Sequence, residues 1–361
     1  MHRWNVIFSL TVVSVVVQFW GLTTSSPQTA HHVKSKLPSQ KSFGFGYYEN
    51  WNYVKTEKEQ HKPHWTHKDH LNWPKKFPTC GGKRQSPIDI HPKETVLSAF
   101  PNFVFHNYGL INNMELVNNG HSVTANLPAD YPKHKTPHIT GGGLNGTYNF
   151  AQFHMHWGID STLGSEHRIK SKSYPLEFHL VHWNSKYGSM AEASKKGPDG
   201  LAVLAVLAEV GLGDSKEFMP ISDQLGEVIR NGDETVLRKP ISLMDMLPKQ
   251  KSSYFRYFGS VTTPTCNEIV TWTVFDNFFE ISEKQLAKLR TLKDEVGERM
   301  VNNFRTPQPL NERTVFYRSF TGCEMSRRLI SLSDANSVAD VFKWTKCLMS
   351  YAFNSIFSST F

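Results

Sequence analysis

Beyond Trp20 the chain has no apolar run long enough to span a bilayer, so stable membrane insertion is not expected. The net charge is +8, but the basic residues are scattered rather than gathered in a stripe, which speaks against a nucleic-acid partner. No internal repeat is visible, nor any acidic or Gly/Asn-rich tract of the kind that would anchor a protein in a mineral or matrix. The HExxH spacing of helical zinc hydrolases is also missing. Cysteine is scarce. Cys80, Cys266, Cys323 and Cys347 allow three pairings, and the sequence alone does not choose among them.

What is present starts with an apolar run at 6–20, preceded by Arg3 and followed by small and polar residues. This reads as a secretory signal peptide at 1–24, which implies a secreted, extracellular protein whose cysteines can pair. A polar, unpatterned leader follows at 25–43. Asn145 begins an Asn-Gly-Thr acceptor for N-glycosylation, beside glycines that suggest an exposed turn. The histidines of the N-terminal region (His31, His32, His61, His64, His67 and His70) read as solvated side chains.

From residue 103 to 272 short strand-like runs dominate, separated by Gly, Pro and Asn: FVFHNY, SVTANL, YNFAQFHMHW, LEFHLVHW, LAVLAVLAEV and EIVTWTVF. Helices are few and late. Ser282 and Gln285 fit a capping box ahead of leucines at 286, 289 and 292. The chain therefore divides into 1–24, 25–43, a catalytic-sized domain at 44–320 and an extension at 321–361 holding Cys323 and Cys347.

Two runs carry chemistry. In QFHMHWG, strand alternation puts Phe150, Gln152, His154 and His156 on one face and Ala151, Phe153, Met155 and Trp157 on the other. In LEFHLVHWN, Glu177, His179, Val181 and Trp183 share a face. His154, His156 and His179 together offer three neutral imidazoles and no fourth protein ligand, an open zinc site with a position left for water. Gln152 and Glu177 are placed to fix the imidazole tautomers.

With RQSPIDI at 84–90, NNGH at 118–121, GSEH at 164–167, PDGLAVL at 198–204, GSVTTP at 259–264 and NFRTPQPLN at 303–311, these runs resemble the α-class carbonic anhydrases from about Phe45 to Phe320. The resemblance implies an α+β, mostly β fold: a large, twisted, mainly antiparallel central sheet with peripheral helices. It implies reversible hydration of carbon dioxide to bicarbonate and a proton by zinc-bound hydroxide. It makes His154, His156 and His179 the zinc ligands, with Gln152, Glu177 and Asn303 hydrogen-bonded behind them. Glu166 and Thr262 become the pair that orients the hydroxide, and His121 the proton shuttle. Tyr47, Asn119 and Thr263 order the water chain. Val181, Val203, Val261, Thr262, Thr263 and Trp272 line the substrate pocket. Secreted members pair cysteines at the positions of Cys80 and Cys266; Cys323 and Cys347 fall outside the family pattern, as does an insertion-like segment at 52–62. A rival from another class is an inactive family member acting as an extracellular binding or matrix protein. Such relatives usually lose a ligand histidine, and here all three remain.

Overall fold

The structure, a computed structural model, describes residues 64–319. The expected signal peptide and leader, Tyr47, the segment 52–62, Cys323, Cys347 and the C-terminal extension lie outside these residues.

Runs rich in branched and aromatic residues form strands where the sequence places them. Those that carry the site are β1 (Glu115–Asn118), β2 (Val123–Asn126), β3 (Tyr148–Trp157), β4 (Leu176–Asn184), β5 (Leu201–Val210), β6 (Tyr254–Gly259) and β7 (Val270–Phe275). All belong to one sheet of thirteen strands among the described residues. β1 to β5 follow one another across it, each antiparallel to the next. β7 then lies parallel to β5 and antiparallel to β6. The sheet is thus mixed and mainly antiparallel. Helices are short and few; α1 (Glu283–Leu289) opens with the expected capping box at Ser282 and Gln285.

The centre of the sheet is buried on both faces, which is why β5 reads as one apolar run rather than alternating with polar residues. Its Ala202, Leu204, Val206 and Ala208 face a core that also holds Phe153, Met155, Trp157 and Phe178. Its Leu201, Val203, Ala205 and Leu207 face the opposite cluster, with Val181 and Trp272. The histidines lie on this second face.

The strand alternation of QFHMHWG fails at one end. Phe150, expected beside the histidines, packs in the first core, and Ala151 packs against the second cluster. The register gives the reason. Gln152 pairs with Val181 but Phe150 pairs with His182, so Ala151 is the extra residue of a β-bulge. One inserted residue exchanges the two faces for everything before it. From Gln152 onward the expected faces hold.

Cys80 and Cys266 form a disulfide, packed with Trp65, Trp73 and Phe77 in a separate small cluster. Cys266 N donates to Thr263 O (2.7 Å), so the bridge fastens the loop that follows β6. Asn145 sits exposed in a bend.

Candidate active site

Register brings the three histidines together. His179 on β4 pairs directly with His154 on β3, and Glu177 pairs with His156. His156 Nε2 lies 3.2 Å from His179 Nδ1, and His154 Nε2 lies 3.3 Å from the same atom. The outer nitrogen of each ring faces an acceptor: Gln152 Oε1 at 3.1 Å for His154, the Asn303 main-chain oxygen at 2.7 Å for His156, and Glu177 Oε1 at 2.6 Å for His179. Each outer nitrogen must therefore carry the proton, which leaves three bare lone pairs aimed at one another. Uncompensated, that arrangement is repulsive; a cation relieves it. Burial first, and the neighbouring imidazoles of His179 and His156 second, hold the His154 pKa well below the usual histidine value, so it stays a neutral ligand. Burial also lowers that of His179, against the opposing pull of Glu177. The donor set of three imidazole nitrogens fits zinc.

A second cluster of ligand-type atoms, His167, Glu177 and His179, lies within metal-binding spacing, but hydrogen bonding explains it without a cation. Glu177 Oε1 accepts from both His167 Nδ1 and His179 Nε2, each at 2.6 Å, and Oε2 accepts from His167 N at 2.8 Å. His167 Nε2 in turn lies 2.7 Å from the Tyr257 hydroxyl, which lies 2.9 Å from Ser86 Oγ. Burial alone would raise the Glu177 pKa, but His167 and His179 outweigh it and hold the carboxylate well below its usual range. The sequence marks no role for His167. Here it braces the carboxylate that orients a ligand, and the signal for this was its place in GSEH, one residue after Glu166.

Glu166 is fully buried. Its Oε1 accepts from Arg305 N (2.8 Å), while Oε2 has no hydrogen-bond partner among the described residues and lies 3.6 Å from His156 Nε2 and 3.9 Å from His179 Nδ1. The expected hydrogen bond from the Thr262 hydroxyl to Oε2 is therefore not made in this arrangement, although Thr262 is buried on the loop after β6. Arg305 escaped the sequence reading. Its guanidinium donates to Gln85 Oε1 (2.8 Å), Ser86 O (3.0 Å) and Cys80 O (2.9 Å), tying Glu166 to the disulfide segment.

Comparison with known proteins accounts for this geometry. The family described as eukaryotic-type carbonic anhydrase matches residues 67–319. Human carbonic anhydrase 12 is 39% identical over 260 residues, 69% of this chain and 70% of its own length. Bovine (Bos taurus) carbonic anhydrase 6 is 38% identical over 253 residues, 68% and 76% of the two lengths. Human carbonic anhydrase 7 is 39% identical over 249 residues, 68% and 92%. The chain belongs to the carbonic anhydrase family. It is a carbonic anhydrase enzyme with zinc as its cofactor, and His154, His156 and His179 are the residues able to hold the ion.

Around this carbonic anhydrase centre the remaining expected residues are distributed as follows. The turn between β1 and β2 needs Gly120 at φ 81° and is closed by Asn119 Oδ1, which accepts from His121 N (3.0 Å) and Ser122 N (2.8 Å). Asn119 thus shapes the turn. Asn303 fixes it to β3: Nδ2 donates to His121 O (3.1 Å) and Met155 O (3.2 Å), and Oδ1 accepts from Trp157 N (2.8 Å). The part of Asn303 that meets a ligand is its main chain, while its side chain secures the surrounding backbone.

The His121 ring stacks on Trp65, with ring centres 3.9 Å apart and planes 13° apart, and its Nε2 lies 3.7 Å from Glu295 Oε2. Burial, and then the His64 charge, pull its pKa down to about 4, against Asp294. His67 was expected in solvent with its neighbours, yet it is buried: Trp65 and Trp73 pack against its ring. The expectation fails because Trp65 and Trp73 flank this histidine and cover it.

The expected wall spans three adjacent strands. Val181 pairs with Val203 and Val203 with Trp272, all buried on the histidine face, with Val261 packed against them. Trp272 is 4.8 Å from the His179 ring, centre to centre, and its Nε1 donates to Ser260 O (3.0 Å). Thr263 follows Thr262 on the same loop, its main-chain oxygen taken by Cys266 N.

Proposed function

We propose that this carbonic anhydrase is a secreted zinc enzyme that hydrates carbon dioxide reversibly to bicarbonate and a proton. One observation carries the reading: three imidazole nitrogens converge with their lone pairs inward because every outer nitrogen is engaged by an acceptor. Bound zinc supplies a Lewis acid that lowers the pKa of water to about 7, the general value for carbonic anhydrase zinc.

The protein residues do the rest. Carbon dioxide is apolar, so Val181, Val203, Val261 and Trp272 exclude water and hold it beside the metal, with Thr263 at the rim. Glu166 accepts a hydrogen bond from the Thr262 hydroxyl, which leaves the threonine oxygen to accept one from the attacking group and direct its lone pair. A shift of the Thr262 side chain onto the unpartnered Glu166 Oε2 completes that pair. The product proton leaves along water ordered by Tyr47, Asn119 and Thr263 to His121, which passes it to buffer. In the stacked position burial favours the neutral His121 ring, so the loaded ring leaves Trp65 for solvent, where a value near 6.5 suits the transfer.

A disulfide supports an oxidising destination, as does the signal-like N-terminus, and the exposed Asn145 is open to glycosylation. Stopped-flow hydration by the full-length protein tests the chemistry. Thr262→Ala and Glu166→Gln should each lower kcat/KM by about a hundredfold with zinc retained. Undiminished kcat/KM in both variants removes the pair from the mechanism. Recovery from cell lysate only, with residues 1–24 intact and Asn145 bare, contradicts secretion.

A further inference from the structure

His67 lies close to the metal centre and has no part in the mechanism above. Its ring is near two that the mechanism does use: its centre is 6.3 Å from that of His156, a zinc ligand, and 6.2 Å from that of His121, the shuttle. Trp65 and Trp73 hold it there, with ring centres 5.3 and 6.0 Å away. The residue is 91% buried, and its Nε2 has no hydrogen-bond partner among the described residues. It belongs to neither of the groups spaced to share a metal ion, so it is not a fourth ligand.

A buried imidazole nitrogen without a partner is costly, and the cost disappears when an ordered water meets it. A water on this atom would lie close to both the His156 and the His121 rings. We propose that His67 is a positioning residue of the proton path, its Nε2 holding a water between the zinc site and His121. The proposal rests on the carbonic anhydrase reading and deepens it.

The role requires no charge on His67. Burial, and then the imidazoles of His156, His121 and His70, hold its pKa well below the ordinary histidine value, so the ring is neutral at working pH. A neutral imidazole nitrogen donates or accepts according to its tautomer, and can therefore serve the chain of waters in either orientation. A proton entering the chain at the metal end is matched by one leaving it onto His121, with no net gain at His67. Phenylalanine fills the same space between the tryptophans but anchors no water.

The full-length zinc enzyme tests this in two ways. In an atomic-resolution crystal structure of the wild type, an ordered water should lie within about 3.2 Å of His67 Nε2 and be missing in His67→Phe. In dilute buffer, His67→Phe should lower kcat by about three- to tenfold, the effect of one lost hydrogen bond on the transfer step. Its kcat/KM and zinc content should stay at wild-type values, and added imidazole should restore kcat. His67→Gln keeps a hydrogen-bonding group and should retain most of kcat; it also carries the kinetic test if the phenylalanine variant does not fold. A dry Nε2, an Nε2 bonded to protein, or an unchanged kcat in dilute buffer overturns the role. A wild type that binds zinc but hydrates no carbon dioxide overturns the functional reading itself, which kcat/KM distinguishes from failure at His67.

Discussion

Replacing Trp65 by alanine should release His121 from the environment that depresses its pKa. The ring is stacked on the indole and its side chain is only 15% exposed. Burial and His64 bring it to about 4, from an ordinary value of 6.5. That gap corresponds to about 3 kcal/mol of preference for the neutral ring. The sign follows from linkage: the unfolded chain protonates near 6.5, while the folded one does so only near 4. The contribution is fully present above pH 6.5 and is lost as pH falls to about 4. Without the indole, solvent reaches the ring and the pKa should climb by about 1 to 2 units. Trp65→Ala also opens the cluster around the disulfide and lowers overall stability, so each protein is compared with its own value at pH 7. The assay is an NMR titration of the His121 ring, paired with urea unfolding at pH 7 and pH 5. The variant should lose less stability between those two pH values than the wild type. A wild-type His121 that titrates near 6.5, or an identical pKa in the two proteins, refutes the reasoning.

Three further predictions concern the supports of the site. Glu177→Gln removes the carboxylate that accepts from both His167 and His179, and zinc affinity measured against a competing chelator should fall by about 10- to 100-fold. Reducing the Cys80–Cys266 bridge, whose cysteines are 186 residues apart, removes about 5 kcal/mol on a loop-entropy account; urea unfolding with and without reductant should show a loss of several kcal/mol. Phe153→Ala leaves a void in the first core, opposite the histidine face, where Phe153 is fully buried; it should cost about 3–5 kcal/mol in unfolding free energy while the folded fraction keeps wild-type kcat/KM.

Strand periodicity put the three histidines on one face because side-chain direction in a strand depends only on spacing, and β4 faces follow it throughout. It misplaced Phe150 because a bulge is a property of a pair of strands: the residue skipped at Ala151 is visible only against Val181 and His182 on β4. Glu177 was legible as a ligand's partner, but its second partner was not. His167 reaches Glu177 across the turn between GSEH and β4, and the third link, Tyr257, comes from β6, far along the chain. Arg305 was hidden for a similar reason. Its role depends on main-chain oxygens at Cys80 and Ser86, which side-chain identity does not advertise. His67 shows the opposite failure: a polar neighbourhood in sequence became a buried one in space because Trp65 and Trp73 fold over it.

The central claim is that three inward-facing imidazole lone pairs hold one zinc ion and that carbon dioxide is hydrated there. The direct measurement is zinc stoichiometry together with stopped-flow hydration on the same purified samples of wild type and His179→Ala. The account predicts one zinc per wild-type chain with rapid hydration, and loss of both in the variant. A wild type that binds one zinc without hydrating carbon dioxide, or a His179→Ala variant that hydrates as fast as the wild type, contradicts it.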